Sequence, residues 1–229
     1  MWKNIIQIAG VKNLDEAEML ISKGVEYIGF PLRLTVNAED TSEKDAKTII
    51  AEIKGKSNPV LITYLSQADE IAEFCNYLDV DIVQLHGNVD KKELEKLKKI
   101  KPELQIIKSL VIKENNFPSL VETVNELSPF VTAFITDTFD PETGAEGATG
   151  KTHDWEISER LVQLSPKPVI LAGGLNPDNV FDAIVHVKPA GVDSHTGVEN
   201  SDGNKSAGKT ERFAAEAKRA FASIGIVKN

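Results

Sequence analysis

The chain holds one cysteine, Cys75, so no disulfide framework can brace it. It also lacks any apolar run near the ~20 residues that a membrane-spanning helix needs. Positive charge is scarce, with 26 Lys and Arg against 35 Asp and Glu and a formal charge of −9. Nucleic-acid binders usually present a basic face, so the expectation is no nucleic-acid and no membrane partner, with room only for a small local anion site. The opening Met1–Ile8 has too short an apolar stretch for a signal-peptide core and runs straight into a strand-like segment, which places the expected location in the cytoplasm. Cys75 lies in the helical stretch 71–78, spaced to point inward with Ile71 and Leu78, and reads as core packing.

What is present is a regular alternation. A length of 229 residues fits one large α/β domain over 1–229 better than two small ones. Short β-branched runs alternate with amphipathic stretches, as repeated βα units around a parallel sheet require. Eight strands are predicted: 5–9, 27–30, 60–64, 82–85, 105–110, 131–136, 169–172 and 191–195. Most are continuously apolar, which suits strands covered on both faces. Helix starts follow at Asn13 before 14–23, Thr41-Ser42 before 43–54, Asp90 before 91–100 and Asn176-Pro177 before 178–187. The polar, glycine-containing segment 198–210 reads as a mobile loop before a last helix near 211–223. Periodicity alone leaves open whether the eight units close into a barrel or form an open sheet.

The sharpest local signal is Val169-Ile-Leu-Ala-Gly-Gly-Leu-Asn-Pro177, an apolar strand ending in Gly173-Gly174 and followed at once by a helix start. Glycine lets backbone approach a ligand, and an adjacent helix start favours an anion. One strand later Gly191-Val-Asp-Ser-His-Thr-Gly-Val198 again ends in small and polar residues. Successive loops after strands seven and eight are where barrel enzymes commonly hold phosphate, although two ordinary turns would read the same way. The run Ala145-Glu-Gly-Ala-Thr-Gly-Lys-Thr152 matches only a relaxed nucleotide loop, with Ala145 where the first glycine belongs and no strand directly before it. A lid over a barrel mouth is the better reading.

Taken together, Gln84-Leu-His-Gly87, Asp137-Thr138, Gly147-Ala-Thr-Gly-Lys-Thr-His-Asp-Trp155, Ile170–Pro177, Gly191-Val-Asp193 and Gly197-Val-Glu199 resemble the phosphoribosylanthranilate isomerase family in order and spacing. The resemblance implies a single (β/α)8 TIM barrel that opens a substrate ribose ring and turns an aldosamine into a ketosamine by an Amadori rearrangement, a step of tryptophan biosynthesis. It implies Asp137 as the general acid, with Gly173, Gly174, Thr196 and Gly197 lining the phosphate site beside Asp193. Asp137 taken alone is equally compatible with a helix cap or a solvated turn. No cofactor is implied, and the assembly is expected to be a monomer or homodimer.

Two departures bear on the chemistry. Where the family carries a catalytic cysteine, its general base, this chain has Ala9, which has no group to accept a proton. Where the family's loop after strand two holds the substrate carboxylate with arginine, ungapped comparison gives Ala38, leaving Arg33 as a candidate substitute. Histidine enters instead: His86, His153 and His195 fall at strand ends or in the lid, and His153 replaces the family's phenylalanine. His195, at a family serine position, is the first candidate for a replacement base, with His86 beside it; contact with substrate hydroxyls or phosphate is the alternative role. A divalent ion on His86, His195 and Asp137 or Asp193 has no recognised ligand spacing, and no metal is assigned. His186 reads as a surface helix residue. The reading is therefore an isomerase acting on a phosphorylated sugar, with a related lyase or hydrolase barrel, or a non-catalytic binding protein, as alternatives; Asp137 and the lid favour an enzyme.

Overall fold

The computed structural model describes residues 2–35, 38–138 and 155–226. Eight parallel strands alternate with helices: β1 (Ile5–Ala9), α1 (Leu14–Ser22), β2 (Tyr27–Pro31), α2 (Glu43–Ile53), β3 (Asn58–Thr63), α3 (Ala68–Leu78), β4 (Ile82–Leu85), α4 (Lys91–Ile100), β5 (Gln105–Ile112), α5 (Phe117–Leu127), β6 (Ala133–Thr138), α6 (Trp155–Leu164), β7 (Val169–Leu171), α7 (Val180–Val187), β8 (Gly191–Ser194) and α8 (Ala207–Ile226). The sheet closes in sequence order, with β8 pairing back to β1 so that Gln7 lies beside Asp193. The chain is a single (β/α)8 barrel. Among the described residues no helix is long and apolar enough to cross a membrane.

Closure divides the apolar residues into two layers. On β1, Ile6 and Ile8 point out to the helices, whereas Ala9 belongs to an inner cluster with Val60, Ile62, Ile82, Ile107, Ile135, Ile170 and Ala172. Because side chains alternate along a strand, Gln7 also faces inward, and its amide donates to Gln84 Oε1 on β4 at 3.0 Å, while its own Oε1 is buried without a partner. The outer layer fills the space between sheet and helices with fully buried Phe30, Phe74, Phe134 and Phe213. Cys75 is buried in that layer, and burial pushes its thiol up to about 12. His186 lies on α7 with an exposed side chain, 3.9 Å from Glu159.

Helix starts follow local chemistry. Asn13 Oδ1 accepts from Glu16 N–H at 2.9 Å, and Ser42 Oγ from Asp45 N–H at 3.1 Å, each capping an otherwise open donor. Two expectations change at the other end of the chain. The last helix begins at Ala207 rather than near 211, and the segment before it is a compact hairpin rather than an open loop. A short 3-10 turn, Thr196–Val198, leads into a bridge between Glu199 and Lys205. Lys205 explains the difference, because its buried ammonium reaches Glu199 Oε1 at 2.7 Å and His195 O at 3.1 Å while its N–H donates to Glu16. A polar sequence looked loop-like, but its lysine is an internal strut.

Candidate active site

Parallel strands put all eight carboxyl ends on one side, and there a cavity of about 350 Å³ opens. Ala9, Pro31, Ile62, Gln84, His86, Asp137, Asp193 and His195 line it from β1, β2, β3, β4, β6 and β8 or the residues just beyond them.

Asp137 and His86 face each other within this cavity. Both are buried; Asp137 Oδ2 lies 2.9 Å from His86 Nε2, and Asp137 Oδ1 accepts from Thr138 N–H at 2.7 Å. His86 stacks on Tyr64 with ring centres 5.0 Å apart and planes 6° from parallel, which fixes the imidazole against the carboxylate. Its Nδ1 is buried without a hydrogen-bond partner. The pair thus has one defined proton position between the two side chains and a second on the open imidazole nitrogen.

Asp193 stands on β8 near Asp137, its Oδ1 inaccessible and without a partner. Burial, then the Asp137 charge, pushes its carboxyl up to about 7, against the opposing pull of Gln7, His195 and Lys205. A carboxyl poised there can hold or release a proton at neutral pH.

His195 lies where β8 meets β1. Its Nε2 is 3.4 Å from Asp40 Oδ2 and 3.6 Å from Glu199 Oε1, distances of ion pairing rather than of tight hydrogen bonds. A Cβ on Gly10 would fall 2.0 Å from the same nitrogen, so the ring covers the end of β1, one residue past Ala9. Burial works to raise the Asp40 carboxyl, but contact with His195 and the charges of Lys205 and Lys12 outweigh it and hold the group below its ordinary range. Burial lowers the Lys205 ammonium despite Glu199, Asp40 and Glu16 around it.

Gly173 and Gly174 turn the chain with φ of +104° and +62°, a region open mainly to glycine. With Thr196 and Gly197 they line a notch of about 40 Å³ that also touches Asp137, Asp193 and His195, which joins it to the mouth cavity. Gly197 has no space for a side chain: a Cβ would meet Leu175 O at 1.9 Å. Outside the notch, Gly174, Thr196 and Gly197 border a recess of about 360 Å³ whose far wall carries Lys209 and Arg212. The glycine turns form a setting for an anion, with Arg212 paired to Asp178 and Lys209 bonded to Glu199 O in the recess outside.

The barrel therefore brings together Asp137, His86, Asp193, His195, Gly173, Gly174, Thr196 and Gly197. Arg33 stands apart: its Nε pairs with Glu43 at 2.8 Å, its guanidinium lies 3.8 Å from the centre of the Phe74 ring, and the mouth cavity does not include it. His153 and the run 145–152 lie outside the described residues. Asp40, Lys12, Lys205, Lys209 and Arg212 were missed as site residues, for none carries a motif and only the closed barrel sets their side chains around its mouth. Among the described residues no group of three or more His, Cys, Asp or Glu is arranged to hold a metal ion.

Residues 6–216 match the family model described as N-(5'phosphoribosyl)anthranilate (PRA) isomerase. This chain belongs to that family. Among its relatives, N-(5'-phosphoribosyl)anthranilate isomerase 2 of Methanosarcina mazei is 35% identical over 220 residues, covering 96% of each chain. Monomers of dimeric phosphoribosylanthranilate isomerase from Thermotoga maritima superpose with a TM-score of 0.77 at 25% identity, covering 94% of this chain and 98% of theirs. The family enzyme solved with reduced 1-(o-carboxyphenylamino)-1-deoxyribulose 5-phosphate gives 0.76 at 25% identity and the same coverage. Against the isomerase pattern, Ala9 and Ala38 both line the mouth cavity, so the two departures fall on its inner surface.

Proposed function

We propose that the protein is an N-(5'-phosphoribosyl)anthranilate isomerase, which catalyses an Amadori rearrangement in tryptophan biosynthesis. The observation that carries this reading is that Asp137 and His195 line the same cavity, with the glycine notch touching both. The notch takes the phosphate, which sets the ribose across the mouth. Asp137 protonates the ring oxygen; the C1–O bond breaks as the nitrogen lone pair forms C1=N. His195 then removes the C2 proton, so the electron pair of that C–H bond becomes the C1=C2 double bond of an enolamine. Tautomerisation of the enol to the C2 ketone places a proton on C1 as the hydroxyl proton leaves, so substrate and product are isomers that differ in the opened C1–O bond and in where hydrogen sits.

His195 fits the base role because its ring covers the strand end next to Ala9, where a cysteine side chain is missing, and Asp40 and Glu199 orient it. In the neutral tautomer with its proton on Nε2, facing those carboxylates, Nδ1 is left to accept. His86 positions Asp137, and Asp193 supplies a second carboxyl at the notch. The substrate in this reading is a small phosphorylated sugar amine, the protein works in the cytoplasm as a monomer or homodimer of one-domain chains, and neither nucleic acid nor metal takes part.

The test follows the loss of substrate fluorescence when purified protein meets N-(5'-phosphoribosyl)anthranilate. Turnover is expected in the wild type, with a loss of about 10²–10⁴-fold in Asp137→Asn. Absence of wild-type turnover at micromolar enzyme would remove the assignment.

A further inference from the structure

The mouth cavity is acidic, lined by Asp40, Asp137, Asp193 and Glu199. Apart from its two histidines, the one basic side chain among the described residues lining it is Lys12, three residues past the end of β1. Lys12 Nζ bonds to a neutral partner, Asn204 Oδ1, at 3.1 Å, and its charge reaches both Asp40 and Asp202. The adjoining wall is apolar, made by Pro31, Leu34, Ala38, Ile62 and Tyr64. Arg33, the other nearby cation, is committed to Glu43 and Phe74 outside the cavity.

The substrate of the isomerase reading has a phosphate at one end and a benzoate at the other. With the phosphate in the notch at β7 and β8, the aromatic ring has the β1–β3 side of the cavity left, where the apolar wall can cover it. A carboxylate there faces four acids and needs a compensating charge, because burying an unpaired anion in such a field is costly. We propose that Lys12 is the specificity-determining residue that holds the benzoate carboxylate, exchanging Asn204 for the substrate. Its single-point charge replaces what a forked guanidinium would supply, and Ala38 leaves space for the ring to lean toward it. This inference rests on the isomerase reading.

The experiment compares wild type, Lys12→Met and Lys12→Arg on two substrates, N-(5'-phosphoribosyl)anthranilate and its carboxylate-free counterpart, N-(5'-phosphoribosyl)aniline. For Lys12→Met, KM for the anthranilate compound should rise about 10- to 100-fold, the scale of one lost charge-assisted contact, with kcat within about threefold. KM for the aniline compound should stay within about twofold of wild type, and Lys12→Arg should recover most of the lost affinity. An unchanged KM for the anthranilate compound, or an equal rise for both compounds, would overturn the role of Lys12 while leaving the isomerase intact. A wild type that turns over neither compound removes the isomerase reading and this inference together.

Discussion

The imidazole of His195 rests against the backbone of Gly10: a methyl group built on Gly10 would lie 2.0 Å from Nε2 and 2.8 Å from Asp40 Oδ2. Gly10 also has φ of +79°, so two separate constraints keep a side chain out. Gly10→Ala would pay about 1–2 kcal/mol for the backbone alone and would push the imidazole off the strand end. The expected result is a melting temperature several degrees lower and kcat down by at least tenfold. His195→Gln, which leaves the backbone untouched, should lose kcat without the fall in melting temperature. A Gly10→Ala protein with wild-type kcat would show that the ring has no catalytic need to lie there.

Asp137 and His86 share a buried contact at 2.9 Å, so changes at the two should not add. We expect His86→Gln to lower kcat about tenfold by freeing the carboxylate, and the double variant with Asp137→Asn to be no slower than Asp137→Asn alone. Steady-state kinetics on the four proteins decides this. Independent, multiplying losses would show that His86 does not act through Asp137.

Asp193 predicts how stability follows pH. Its carboxyl is raised to about 7 in the folded protein, chiefly by burial, against about 4 in an unfolded chain. Between those values the folded state keeps a proton that the unfolded state gives up, so this group's stabilising contribution is full below about pH 4 and is lost as pH rises through about 7. Asp193→Asn should therefore be more stable than wild type at pH 8, on the order of 1–3 kcal/mol, with the gap closing toward pH 4. Urea unfolding at pH 4, 6 and 8 measures it. Parallel stability curves for the two proteins would mean that the carboxyl ionises normally.

Much of the barrel was legible because its rules are local. Continuous apolar runs such as Val169–Leu171 announce strands covered on both faces, and Asn13 and Ser42 announce helix starts that their side chains do cap. The hairpin before α8 was not legible, since polar residues with glycine describe a loop and a buried strut equally well until Glu16 and Glu199 are in place around Lys205.

The candidate site divides along the same line. The sequence by itself determined the eightfold alternation, the glycine turns after β7 and β8 and the absence of a thiol at Ala9, since each is a property of a few neighbouring residues and their backbone freedom. Only the tertiary structure decided that His195 lies over Gly10 between Asp40 and Glu199, that Arg33 turns away to Glu43, and that Lys12 lines the acidic mouth. Those pairings join residues up to about 190 positions apart, and they exist because closing β8 onto β1 brings opposite ends of the chain within the few ångströms over which charge and packing act.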